Sequence, residues 1–209
     1  MSLVEPLQPA ATKRDIRRES ILDVAREVLL AEGFAAASMS TIAAKLGGSK
    51  GTLYNYFKSK DELFGAVVSR HCSWQSEAMF SQLVDGQDVR SALMKVGREH
   101  LTLVTSEHTL AMFRLIIAES ARDPEIGRLF YESGPLKGVQ RLAAYLAQAS
   151  ARGELAVDDP ETAAHHFIAL CQNRLMKTRL TNYVGEPSPR EVEDKVAKAV
   201  DVFLRAYGG

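Results

Sequence analysis

The residues best suited to chemistry lie in one short run, Ser49-Lys50-Gly51-Thr52-Leu53-Tyr54-Asn55-Tyr56-Phe57. Ser49 is a side-chain cap for a helix that begins at Lys50. A short helix with polar groups on its first turn can present them to base edges in a DNA major groove. Lys50 can reach a phosphate or the O6 and N7 acceptors of guanine. Thr52 can donate to phosphate or touch a thymine methyl, and Asn55 can read adenine if it faces the groove. Gly51 lets the helix backbone approach the groove floor, while Leu53 and Phe57 are spaced to pack inward.

Such a helix must be held by neighbours. Ser38 caps a preceding short helix, Met39–Leu46, whose apolar side is Ile42, Ala43 and Leu46. Gly47-Gly48 supplies the sharp turn a helix-turn-helix needs. Upstream, from about Thr12, Ile21, Val24, Ala25, Val28 and Leu29 form one helical stripe. Gly33 ends it in a left-handed cap, and Phe34 turns back onto the stripe. Downstream, Ser59-Lys60-Asp61-Glu62 reads as a capping box opening a long helix that Gly86 breaks.

The remainder reads as helix after helix, over about 89–104, 107–121, 124–131, 135–151, 161–183 and 189–207. Asp123-Pro124, Asp159-Pro160 and Ser188-Pro189 each place a cap before a proline in the first turn. No stretch alternates as a strand would, and no repeat of 20–50 residues is visible. The fold class is therefore all-α, with about nine or ten helices. Residues 1–11 carry two prolines and no period, and read as a disordered tail.

From Ile21 to Phe64 the chain resembles the TetR-type bacterial transcription regulators. The resemblance is carried by the capped Ser38-Met39-Ser40-Thr41-Ile42-Ala43 start, the glycine turn, Leu53-Tyr54-Asn55-Tyr56-Phe57 and Lys58-Ser59-Lys60-Asp61-Glu62-Leu63. Gly48 departs from the pattern, which has valine or a similar apolar residue there, and should loosen the packing of the short helices. The resemblance implies an N-terminal three-helix DNA-binding domain, residues 12–58, joined to a larger helical ligand-binding and dimerisation domain, residues 59–209. It implies phosphate contacts from Ser38 and Ser40, and a groove-facing set Lys50, Gly51, Thr52 and Asn55. Tyr54 and Tyr56 match tyrosines that bind flanking phosphates, with core packing as the other reading for each. Lys60 would reach phosphate at a helix N-terminus. The Lys13, Arg14, Arg17, Arg18 cluster would lie beside the backbone or minor groove; taken alone it also reads as a solvated helix face. Segments 113–125 and 130–135 are similar to the AcrR/AefR-like subgroup.

Candidates for an apolar ligand are His71, Trp74, Met94, His100, Phe113, Phe130, Phe167, Cys171 and Asn173, which mix aromatic, soft and hydrogen-bonding groups. Ordinary core packing is the competing reading for each. Arg114, Arg174 and Glu119 lie near apolar runs and can pair with a ligand or with each other. For the dimer, the last helix carries a stripe through Val192, Val196, Val200 and Phe203, and the helix before it carries Ile168 and Leu175. Two such helices per chain suit a four-helix interface, with burial inside one chain as the alternative.

Composition sets the limits. The 209 residues are 46% hydrophobic and 25% charged, with 26 basic and 26 acidic side chains, so the whole chain is no generic polyanion binder. Residues 1–58 hold eight basic against six acidic residues. No apolar run approaches the roughly 18 residues of a membrane helix. The first residues show no secretory signal, and Cys72 and Cys171 are too few for a disulfide scaffold or zinc finger, so a bacterial cytoplasm, at the nucleoid, is expected. His165-His166 diverge by about 100° on a helix and cannot easily serve one metal, so no metal or cofactor is expected. The expected partners are an operator duplex, a second copy of the chain and an apolar small molecule, with no membrane. The expectation is a homodimeric, ligand-responsive regulator, most naturally a repressor. No hydrolase, P-loop or metalloprotease motif is present. A helical adaptor with a silent helix-turn-helix, or an all-α enzyme with an unfamiliar site, are the rival classes.

Overall fold

The computed structural model describes residues 12–80 and 88–209, with side chains at 12–73 and 88–209. The tail expected at 1–11 and the break at Gly86 lie outside the described residues. Among those described, ten helices follow one another: α1 Lys13–Ala36, α2 Met39–Lys45, α3 Lys50–Tyr54, α4 Lys60–Phe80, α5 Val89–Thr105, α6 Glu107–Ser120, α7 Pro124–Ser133, α8 Pro135–Ala151, α9 Pro160–Leu180 and α10 Pro189–Tyr207. The all-α expectation holds, and the one β feature described is an isolated bridge between Leu155 and Gly208. No single described helix is long and apolar enough to cross a membrane.

Local chemistry explains most helix starts. Ser38 accepts from the Thr41 amide at 3.0 Å, and Asp159 from those of Glu161 and Thr162 at 3.1 Å. Ser188 and Glu191 close a full capping box. So do Thr12 and Asp15, and this explains the acid inside the basic cluster. Its carboxyl is held below the usual range, first by the Thr12 hydroxyl and then by the Thr12 amide. At α4, Ser59 caps the Glu62 amide at 3.0 Å, but the Glu62 carboxylate takes the Lys58 amide at 2.7 Å rather than that of Ser59.

The chain forms two compact units, residues 1–67 and 68–209, with α4 running from one into the other. In the first, Ile21, Leu22, Ala25, Val28 and Leu29 of α1 are buried, as are Ile42, Ala43, Leu53, Phe57, Leu63 and Phe64. Gly33 has φ 76° and Gly47 has φ 68°, a region that favours glycine because a Cβ crowds the backbone there. Helical hydrogen bonding resumes past Gly33 to Ala36, so α1 is broken at that residue rather than ended by it.

Gly48 lies outside the left-handed region, and a Cβ there would stand 3.2 Å from Nη2 of Arg17, the mobile end of a long side chain. Gly48→Ala is therefore expected to raise the unfolding free energy by about 0.4–1 kcal/mol through the unfolded chain's entropy. Urea denaturation checks this; a loss of stability would mean that Arg17 cannot yield.

In the second unit α5, α8, α9 and α10 share one core, built around Leu93, Val96, Leu142, Ala164, Phe167, Val196, Val200 and Phe203. Gly97 sits inside α5 because α10 passes close by. A Cβ at that position would fall 2.6 Å from Cγ1 of Val196 and 3.3 Å from Cys171 Sγ. Exposed pairs Arg90–Asp201 at 2.7 Å and Arg98–Glu193 at 3.1 Å flank this crossing and add little stability. α9 breaks at Asn173, where φ is 32°.

Candidate functional site

The first unit presents α2 and α3 as two short capped helices around the Gly47 turn. Ser49 Oγ accepts from the Thr52 amide at 3.1 Å and meets Thr52 Oγ1 at 2.9 Å, so α3 starts sharply at Lys50. Leu53 and Phe57 are buried beneath it, while Lys50, Gly51, Tyr54 and Asn55 are exposed and Thr52 and Tyr56 half-buried. Lys50 Nζ lies 5.8 Å from the Tyr54 ring centroid, so cation and ring share one surface. Ser40 is exposed at the start of α2, and the half-buried Ser38 accepts from the Thr41 amide, which leaves its own hydroxyl hydrogen to donate. On α1, Arg14 is exposed, Arg17 leans towards Gly48, and the Arg18 guanidinium stands 5.3 Å from the centroid of Phe57. The arrangement is a polar, cationic first turn on a buried apolar footing.

Lys60 reaches back to the end of α1. Its Nζ donates to the carbonyls of Phe34 at 2.6 Å and Ala37 at 3.0 Å and sits 4.2 Å over the Phe34 ring. The ammonium closes the end of α1, where broken helical bonding leaves carbonyls without partners. These contacts give Lys60 a structural role that the sequence reading did not include. Lys60→Met is expected to lower stability by about 1–2 kcal/mol. The salt slope of DNA binding should stay unchanged, where loss of a phosphate contact would reduce it by about one.

The second unit carries a partly open cavity of about 380 Å³. Of the residues named as ligand candidates, His71, His100, Phe113 and Phe130 line it. The Phe113 and Phe130 rings lie 5.2 Å apart at one wall. Gln172 meets the His100 ring at 3.0 Å, and burial lowers the His100 pKa to about 4, so the ring is neutral. Met94, Phe167, Cys171 and Asn173 do not line it. Met94, Phe167 and Cys171 pack in the core, Phe167 edge-on to Phe203 at 5.4 Å, and Asn173 is exposed at the break of α9. The Trp74 side chain lies outside the described residues. Sequence reasoning missed Met112, Ile116, Val139, Gln172 and Met176, apolar or neutral residues no motif marks.

The dimer residues also need correction. Val192, Val196, Val200, Phe203 and Leu175 are covered within the chain by α5, α8 and α9, and Ile168 lines the cavity. A stripe demands cover but does not say whose. Arg114 pairs with Glu107 at 2.8 Å and donates to the carbonyls of Leu180 and Arg179. His165 lines the cavity while His166 meets the Tyr207 hydroxyl at 2.5 Å. Burial raises the thiol pKa of both Cys72 and Cys171 to about 12, so neither is poised as a thiolate.

A family model described as bacterial regulatory proteins of the tetR family matches residues 21–67, and one described as the C-terminal domain of AefR-like transcriptional repressors matches residues 91–209. The chain belongs to the TetR family. Its relatives include the HTH-type transcriptional activator FasR of Mycolicibacterium smegmatis, 48% identical over 49% of this chain; the match spans 46% of FasR, under half that protein's length. Among solved structures, a TetR-family transcriptional regulator from Mesorhizobium loti superposes with a TM-score of 0.89 at 28% identity, covering 95% of this chain and 100% of the other. The flavonoid-responsive regulator FrrA follows with a TM-score of 0.78 at 31% identity, covering 92% and 97%. The family models and relatives it matches are those of transcription regulators.

Proposed function

We propose that this TetR-family regulator is a homodimeric repressor, released from a near-palindromic operator when an apolar small molecule fills the cavity of the second unit. The DNA-binding domain is residues 12–58 and the ligand-binding and dimerisation domain residues 59–209. The observation that carries the DNA reading is the exposed, Ser49-capped first turn of α3 standing on buried Leu53 and Phe57. Lys50, Gly51, Thr52 and Asn55 face the groove. Ser38, Ser40, Tyr54, Tyr56, Arg14, Arg17 and Arg18 serve the backbone on either side. Two copies place one α3 in each half-site, about 34–36 Å apart or somewhat more. The second copy is held by surfaces other than the α10 stripe, which the chain already covers.

The cavity's aromatic and aliphatic lining supports an apolar effector, as does the flavonoid-responsive name of FrrA. The description of the matched C-terminal model supports repression. The ligand acts only through its differential affinity for the DNA-bound and released arrangements. α4 is the path, since it begins at Lys60 and brings His71 and Cys72 to the cavity wall. The protein works at the nucleoid in the bacterial cytoplasm.

Selection of duplexes from a random pool, followed by anisotropy titration at two salt concentrations, tests this. The expected result is a pseudo-palindrome bound at about 10⁻⁸ M or tighter. Absence of any enriched, salt-dependent site would overturn the regulator's operator reading. Operator affinity unchanged by a bound ligand would overturn the coupling.

A further inference from the structure

The cavity's charge inventory narrows what it holds. We propose that the effector is an uncharged molecule of two to three aromatic rings bearing a hydroxyl or carbonyl that hydrogen-bonds to the His100–Gln172 pair. This rests on the reading of the cavity as the effector site.

Size comes first. A cavity of about 150 Å³ holds one benzene, and this one, at about 380 Å³, has room for two to three such rings. Its wall then favours flat, polarisable occupants. Phe113 and Phe130 present tilted rings 5.2 Å apart, and Met112 and Met176 add thioethers that pack well against aromatic edges.

Charge decides between an aromatic of this kind and an organic acid. No described residue lining the cavity is Lys, Arg, Asp or Glu. Residues 74–87, whose side chains lie outside the description, contain no Lys or Arg either. An anionic headgroup entering the cavity would leave water without meeting a Lys or Arg side chain, with only the imidazoles of His71, His100 and His165 in the described lining, a large penalty. The polar pair His100 and Gln172 in the lining is neutral. His100 stays uncharged at physiological pH because burial disfavours its protonated form. It meets Gln172 Nε2 through its own Nε2 at 3.0 Å. With the amide nitrogen donating to the ring, the Gln172 carbonyl is placed to accept from a ligand hydroxyl. With the amide turned round, its N–H groups serve a ligand carbonyl. Either way the pair offers a neutral hydrogen bond in a mainly apolar cavity, where His71, Thr109 and His165 are further polar side chains, and it orients a ligand without requiring charge.

Three probes of one shape test the assignment by calorimetric titration of the full chain: 4-hydroxybiphenyl, biphenyl-4-carboxylate and biphenyl. We expect 4-hydroxybiphenyl to bind at least about 30-fold more tightly than the carboxylate. It should also bind about 5-fold more tightly than biphenyl. In the double variant His100→Leu/Gln172→Leu, retained biphenyl binding reports an intact cavity, and the advantage of the hydroxyl should vanish. Equal or tighter binding of the carboxylate overturns the charge assignment alone. A hydroxyl advantage that survives the double variant overturns the role of the pair. Decan-1-ol binding more tightly than 4-hydroxybiphenyl overturns the aromatic assignment. Binding of none of these probes to the unaltered chain overturns the effector-site reading and this assignment with it.

Discussion

Replacing Arg179 with methionine is expected to lower the unfolding free energy by about 3 kcal/mol. Arg179 lies in the last turn of α9 and is 5% exposed. Its Nε and Nη2 donate to the Thr105 carbonyl at 3.1 and 3.0 Å, its Nη1 to the Val184 carbonyl at 3.2 Å, and Nη2 reaches Glu107 at 3.4 Å. One side chain therefore holds the end of α5, the start of α6 and the exit of α9. Methionine keeps much of the stem but no donor, so the buried Thr105 carbonyl loses two charge-assisted bonds and the Val184 carbonyl one. Each carbonyl left without a partner costs about 1–3 kcal/mol. The Glu107 carboxylate contributes much less. It is exposed and still holds Arg114, the first cause of its depressed pKa. A depressed carboxyl pKa stabilises above the unfolded value and loses that contribution as pH falls through the folded one. Glu107→Gln should accordingly cost far less than Arg179→Met in the same urea series. A loss below about 1 kcal/mol for Arg179→Met would mean that water replaces the guanidinium at both carbonyls.

The contrast between Arg179 and Ser49 shows which parts of the molecule were legible in the sequence. Ser49, Ser38, Asp123, Asp159 and Ser188 act on amides two or three residues away, so residue type and spacing suffice to place the helix starts. The Gly47 turn and the polar first turn of α3 are local in the same sense, and most of the candidate DNA surface was legible for that reason. The carbonyl contacts of Lys60 were not legible because the partners lie 23 and 26 residues away, beyond a glycine break that periodicity does not resolve. Arg179 was not singled out at all, because its main partner lies 74 residues distant. The cavity and the core use the same residue types. Phe113 and Phe167 are equally aromatic, and only the packing of α5, α6, α8, α9 and α10 sends one to the cavity and the other against Phe203. The α10 stripe was ambiguous in the same way until Gly97 showed how closely α5 covers it.

Gly51→Glu is expected to separate binding from folding: operator affinity should fall at least about 100-fold, about 2.8 kcal/mol, while the thermal midpoint holds or rises. The fold should tolerate the change. A Cβ at position 51 meets only Ser49 Oγ, at 3.7 Å, an ordinary contact, and the backbone there is outside the left-handed region. Glutamate forms helix better than glycine, and a negative charge in the first turn of α3 suits the positive end of the helix dipole. The same carboxylate on the proposed reading surface would face the phosphates and base-edge acceptors that Lys50 is placed to meet. It would also fill the space that glycine leaves for close approach. Gly51→Ala isolates the second effect, since it adds a methyl without charge and should cost less. Anisotropy against the selected operator, with a melting curve on the same samples, distinguishes the outcomes. Full affinity in a stable variant would remove α3 from the interface. A loss of affinity that tracks a loss of stability would assign Gly51 to the folding of the short helix. A loss of affinity in a protein as stable as the unaltered chain is the result that the capped, exposed turn of α3 leads us to expect, because nothing beneath Gly51 depends on its being bare.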